Sequence, residues 1–315
     1  TSGSPDIVSV SQDGTIEALR EGSATVTLSV EGSNLRASVR VTVKNPFVIE
    51  NRVLVAYKGM DKNVVIPDDE GILYIGAYAF CLYTTDNDIE ITDDDYDANK
   101  IPASNEFIES VVIPAGVEEI QKYAFYNCKN LKSVTLPDSV RYIREYAFYN
   151  DARLESINLS ENGKIYEDIG LSKVEVIGAR AFYGCKLLTL GETSLTHAYS
   201  VGESAFEDCA ALAYVDLSAL RNAGARIFRG CTSLKKVKFD DNTKLSKEMF
   251  AGSGLTSVTI LDTAGIPASC FADCASLQEV VFEGMTENIG EQAFSGCVAL
   301  GSVALPGCTV SLGAN

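Results

Sequence analysis

Nine phenylalanines recur along the chain at nearly even spacing, and that recurrence limits the fold more than any other feature. They are Phe80, Phe125, Phe148, Phe182, Phe206, Phe228, Phe250, Phe271 and Phe294, separated by 45, 23, 34, 24, 22, 22, 21 and 23 residues. The two long intervals equal one period plus an insertion, near 84–105 and 160–173. Other columns keep the same step. Five residues before each mark stands Ile75, Ile120, Ile143, Ile177, Val201, Ala223, Leu245, Ile266 or Ile289. Ala precedes the mark at 79, 124, 147, 181, 205 and 293, and Cys follows three residues later at 128, 185, 209, 231, 274 and 297. A Leu-x-x-Val-x-Leu string completes the unit, as in Leu131/Val134/Leu136, Leu212/Val215/Leu217 and Leu300/Val303/Leu305.

The physics of one unit follows from these columns. Val134-Thr135-Leu136 alternates apolar and polar residues, which suits a short half-buried strand. Phe and Cys three residues apart share one side of a helical turn, so a short helical turn is predicted between strands. Pro137 and Pro306 close strands because proline cannot donate the next ladder bond. A unit of about 22 residues cannot bury its apolar face alone, whereas stacked units share one core. The expected fold is therefore a solenoid of about nine or ten coils, with short parallel β-strands and short helical turns.

The consensus Ile-Gly-x-x-Ala-Phe-x-x-Cys-x-x-Leu-x-x-Val-x-Leu-Pro resembles the BspA-type leucine-rich repeats of bacterial surface proteins. The resemblance runs from about residue 47 to the end, and 47–66 looks like the hairpin that leads into such a solenoid. Asp151 and Ser253 depart from the Cys column, Ile227, Met249 and Cys270 depart from the Ala column, and residues 187–200 lack a clean strand signature. The resemblance implies a leucine-rich repeat solenoid over 45–315 and a non-enzymatic, adhesin-like protein at the cell surface.

Residues 1–44 follow another rule. Val8-Ser-Val10, Thr15–Leu19, Ala24–Val30 and Leu35–Val43 alternate with period two, separated by Asp13-Gly14 and Glu21-Gly22. The stretches Asp13-Gly-Thr-Ile16 and Gly22-Ser-Ala-Thr-Val26 resemble the C-terminal half of a bacterial immunoglobulin-like (group 2) domain. Four strands are too few to close a sandwich. Either an upstream half has been removed or this small β module leans on the solenoid. With no initiator Met and a last repeat broken off at Asn315, both ends read as cut.

Composition then removes several functions. The formal charge is −17, which repels phosphate backbones, so nucleic acid is not an expected partner. No window carries eighteen consecutive apolar residues, so no membrane-spanning segment is expected. A single histidine, His197, leaves no site that needs two, and no Gly-x-Ser-x-Gly elbow or phosphate loop accompanies it. No cofactor, metal or catalytic residue is assigned. The nine cysteines are odd in number and mostly in one column, which reads as buried, reduced plugs; Cys270 and Cys274 are the best disulfide pair. Asp86, Asp88, Glu90, Asp93, Asp94, Asp95 and Asp97 read as a solvated acidic loop, with calcium as the alternative.

Two groups stand out as partner-binding candidates. All fourteen tyrosines precede residue 215, and Tyr123, Tyr126, Tyr146, Tyr149 and Tyr183 flank the register marks, where stacking would align them. Lys235, Lys236 and Lys238 form one basic island that could orient an acidic partner. The same tyrosines would also serve simply to cover the Ala-Phe corners. The expected partner is an extracellular protein or cell-surface ligand, such as a host extracellular-matrix protein. A glycan stacked on the tyrosines is the alternative.

Overall fold

A computed structural model describes residues 1–81, 105–261, 265–305 and 311–313. The chain divides into two compact units, Thr1–Val48 and Ile49–Asn315. In the first, the strand Val8–Val10 pairs antiparallel with Ile16–Ala18, and Gly22–Ser29 pairs antiparallel with Arg36–Val43. The alternating segments thus become strands, paired as two two-stranded sheets.

The second unit is a parallel β-solenoid. Each regular coil contributes two strands to two different ladders. One is an eight-stranded sheet that runs from Phe47–Glu50 and Val53–Tyr57 through Tyr74–Ile75, Glu119–Ile120, Tyr142–Ile143, Val176–Ile177 and Ser200–Val201 to Asn222–Ala223. Its register puts Leu54, Ile75, Ile120, Ile143, Ile177, Val201 and Ala223 in one row. The other ladder carries the Val-x-Leu strings, with Val64, Val111, Val134 and Ile157 aligned. It resumes as Tyr214–Asp216 beside Lys236–Lys238 and as Ser257–Ile260 beside Glu279–Phe282. At the hairpin that leads into the solenoid, Asn51 and Arg52 both take positive φ, as a tight two-residue turn requires.

The phenylalanines make the spine. From Phe80 to Phe271 every ring in the series is fully buried, and each stacks on the next at centroid distances of 4.5 to 5.7 Å with planes within 10°. Phe294 continues the stack at 5.5 Å. Those separations follow the spacing of hydrogen-bonded strands, about 4.8 Å, because one backbone register sets both.

One expectation is corrected. There is no helix among the described residues, and the Ala-Phe-x-x-Cys stretch is a chain of tight turns. In the coil at 121–128, the N–H groups of Ala124, Tyr126 and Cys128 bond three residues back within the coil, to Gln121, Tyr123 and Phe125. Those of Tyr123, Phe125 and Asn127 leave the coil and bond to Glu145, Ala147 and Tyr149 of the next. A helix would send every N–H back along its own strand. Left-handed residues enforce the alternation. The residue two before each Phe has φ between 54° and 61°, and from Phe125 onward the residue two after it is Asn, Asp or Gly with φ between 55° and 75°. Asn, Asp and Gly are the residue types that tolerate this region best.

The insertion at 160–173 explains the irregular coil. Its Asn162-Gly163 pair turns the strand Ser156–Glu161 back as Lys164–Tyr166, antiparallel, with Leu159 opposite Tyr166. The returning strand takes the ladder place beside Leu159–Glu161, and the following coil keeps only the bridge between Ser156 and Thr189. The insertion expected at 84–105 lies, except for Asn105, outside the described residues.

Close coil approach also depends on glycine. A Cβ on Gly202 would press into the backbone of Gly178 and Ala179 in the preceding coil. Gly202→Ala is therefore expected to cost about 1–3 kcal/mol by overpacking, and Phe206→Ala about 3–5 kcal/mol by opening the spine. Chemical denaturation of the two variants against the parent chain checks both values.

Candidate binding surface

Because register is shared from coil to coil, any column of side chains on the turns becomes a ladder. Two columns flank the spine, one two residues before each Phe and one a residue after it. In the first, Tyr78, Tyr123 and Tyr146 stack at 4.9 Å and 4.9 Å. In the second, Tyr126, Tyr149 and Tyr183 stack at 5.2 and 5.0 Å. Contacts between the columns tie them together, Tyr123 edge-on to Tyr126 at 5.7 Å and Tyr146 tilted against Tyr149 at 5.5 Å. The structure thus gathers all five candidate tyrosines, each half-buried, into one patch and adds the buried Tyr78.

Further along, the same two columns carry charge. The Arg180 guanidinium lies 5.7 Å above the Tyr146 ring and donates to its hydroxyl at 2.6 Å. Arg226 then pairs with Glu203 and lies 4.0 Å from both Glu207 and Glu248, while Arg229 lies 3.3 Å from Glu248. Burial pushes the Tyr183 hydroxyl up, and the Asp208 and Glu207 carboxylates push it the same way. The interior tyrosines have neighbours on both ring faces: Tyr123 between Tyr78 and Tyr146, Tyr149 between Tyr126 and Tyr183, Tyr146 between Tyr123 and Arg180. Rings stacked in this way leave edges and hydroxyls, not faces, toward the outside of the stack. Arg180, Glu203, Glu207, Arg226, Arg229 and Glu248 were not among the sequence candidates. Reading down the columns beside Phe would have found all but Glu203, which stands one place outside them.

The lysines stand elsewhere, on the Val-x-Leu ladder. Lys238 donates to Asp216 Oδ2 at 2.7 Å, so part of the basic island is neutralised within the protein. Burial alone would raise the Asp216 carboxyl, but hydrogen bonds from Lys238 and Ser218 outweigh it and hold the group low. Lys235 and Lys236 are exposed. The structure therefore does not bring the lysines and the tyrosines into one site. A second charged ladder edges this face, where Glu109 takes Lys62 at 2.7 Å and Lys132 at 2.6 Å.

Other candidates resolve simply. His197 is exposed, with its Nδ1 3.4 Å from Thr196 Oγ1, while Ser194 donates to the Asp168 carbonyl. The eight described cysteines are free and buried, Cys270 and Cys274 included. Among the described residues no group of three His, Cys, Asp or Glu could hold a metal ion. The acidic run from Asp86 to Asp97 lies outside them. No described helix is long and apolar enough to cross a membrane.

With this geometry in hand, comparison with known proteins decides the family. The BspA type leucine-rich repeat region matches in six copies over residues 103–170, 166–265 and 264–315. The chain belongs to the BspA-type leucine-rich repeat family. A leucine-rich cell surface protein of Faecalibacterium prausnitzii is similar in structure, with a TM-score of 0.54 and 22% identity over 85% of this chain and 70% of that one. The leucine-rich repeat protein of T. pallidum gives a TM-score of 0.42 and 21% identity over 79% of this chain and 82% of that one. The pneumococcal vaccine antigen PcpA gives 0.45 and 17%, over 92% and 76%. A comparison with curated proteins finds no match.

Two measurements test the side-chain ladders. Tyr146→Phe removes the Arg180 bond but keeps the ring, and should cost about 1 kcal/mol, against about 2–4 kcal/mol for Tyr146→Ala, which also loses the stack. The hydrogen bonds from Lys132 and Lys62 hold the Glu109 carboxyl down to about 2. Its contribution to stability is present above the ordinary carboxylate range and lost as pH falls toward 2. An NMR titration of Glu109 should follow that course, and Glu109→Gln should remove this part of the acid dependence.

Proposed function

We propose that this BspA-type protein is a non-enzymatic, adhesin-like binding protein of the cell surface, whose solenoid presents fixed rows of side chains to an extracellular protein. The observation that carries this reading is the tyrosine patch, in which six rings on successive coils are locked face to face. Their conformational freedom is already spent in folding, so a partner meets a preorganised surface. Tyrosine edges and hydroxyls suit the mixed apolar and polar character of protein interfaces. The kinship with a leucine-rich cell surface protein agrees with a surface location. Host extracellular-matrix or cell-surface proteins are the proposed partners. The first unit is read as a spacer resembling half of an immunoglobulin-like domain.

Sugar recognition by stacking fits less well. A pyranose ring needs an open aromatic face, and Tyr123, Tyr146 and Tyr149 have both faces covered.

The test is binding of the whole chain to immobilised extracellular-matrix proteins alongside a glycan array. Binding to a matrix protein, weakened at least tenfold by Tyr126→Phe with Tyr149→Phe while the thermal midpoint shifts by only a few degrees, is the expected outcome. An array signal with no matrix binding would overturn the protein-partner reading.

A further inference from the structure

The residue three after each Phe is a hydrogen-bonding device as well as a plug. Cys185, Cys209, Cys231, Cys274 and Cys297 each donate Sγ–H to the carbonyl of the Phe one coil back, at 3.0 to 3.2 Å. Cys128 does the same to Phe80 at 3.7 Å. The thiols therefore cross-link successive coils beside the spine. At Asp151 the column carries a carboxyl group instead. Asp151 is fully buried, its Oδ1 accepts the Cys128 N–H at 2.7 Å, and its Oδ2 meets no partner. By register, the carbonyl left without its thiol donor is that of Phe125.

The surroundings offer a charge nothing. The titratable neighbours are the thiols of Cys128 on one side and Cys185 on the other, with Cys81 beyond, each itself pushed up by burial. No cation bears on Asp151; burial drives its carboxyl well above the ordinary range, and the single Cys128 N–H offsets this only in part. A protonated carboxyl, by contrast, has a hydroxyl to donate and a carbonyl oxygen to accept, which is what the two sides of the column ask for.

We propose that Asp151 is carried as the neutral acid, its hydroxyl replacing the missing thiol at the Phe125 carbonyl, and that loss of this proton as pH rises loosens the joint between the coils bearing Tyr123 and Tyr126 and those bearing Tyr146 and Tyr149. The sign follows from linkage. The native state holds the proton more tightly than the unfolded chain, so the contribution is full below the unfolded pKa and falls away with rising pH until the folded pKa is reached. A cysteine at the same place would keep its donor through neutral pH in both states.

The experiment compares the whole chain with Asp151→Cys and Asp151→Asn by equilibrium unfolding between pH 5 and 8 at constant ionic strength, with carboxyl-carbon NMR of Asp151 in the parent protein. Relative to either variant, the unfolding constant of the parent should rise from pH 5 upward, by about tenfold per pH unit until the folded pKa is reached and no further beyond it. The Asp151 resonance should still report the acid form at pH 6. Parallel stability curves, or a resonance that titrates in the ordinary carboxylate range, would overturn the proposal. Should Asp151→Cys fail to fold, the Asn variant and the resonance still decide. None of these readouts depends on a partner, so they stand or fall apart from the binding role.

Discussion

A coil of this protein makes only half of its turn hydrogen bonds with itself. The other half go to the coil that follows, through every second N–H of the Ala-Phe corner, as from Tyr123, Phe125 and Asn127 to Glu145, Ala147 and Tyr149. Buried backbone groups left unpaired are costly, so a coil without its neighbour is not a stable object. The rest of the structure depends on that borrowing. It fixes the register of the two strand ladders, brings the phenylalanine rings to stacking distance and leaves no room for a side chain at Gly202.

Shared register has a chemical consequence. In an isolated turn, Tyr146 would be one mobile ring among many. Here it is held between Tyr123 and Arg180, and the row beside it runs from tyrosine into Glu207 and Arg229. In the proposed binding role, recognition would rely on preorganised edges and on hydroxyls with fixed spacing. The strand ladder presents a different chemistry, in which Lys238 is already satisfied by Asp216 and only part of the basic island faces solvent unpaired with it. Asp151 shows the cost of the same register, since the column that suits a thiol must there accommodate a carboxyl group.

Much of this architecture is legible in the amino-acid sequence, because a repeat states the same packing solution many times. The columns at Phe, Ala, Cys and the Ile five places earlier each mark an inward position, and every coil has to find room for them in the same way. The tyrosine patch is legible for that reason too, being a neighbour of the marked column. The Asn162-Gly163 turn is a local signal that accounts for the coil with only a bridge at Thr189. What misleads is the spacing of three between Phe and Cys. It suits a helical turn as well as a tight turn, and only the left-handed residues on either side separate the two.

By itself, then, the sequence determined that the second unit stacks, which residues form its spine, and where its tyrosines align, since those depend on period and polarity alone. The tertiary structure decided the rest: turns in place of helices, thiols that donate to carbonyls one coil away, and three interior tyrosines covered on both ring faces. Each of these depends on what the adjacent coil or strand supplies. Such partners are remote along the chain and become neighbours only when it folds.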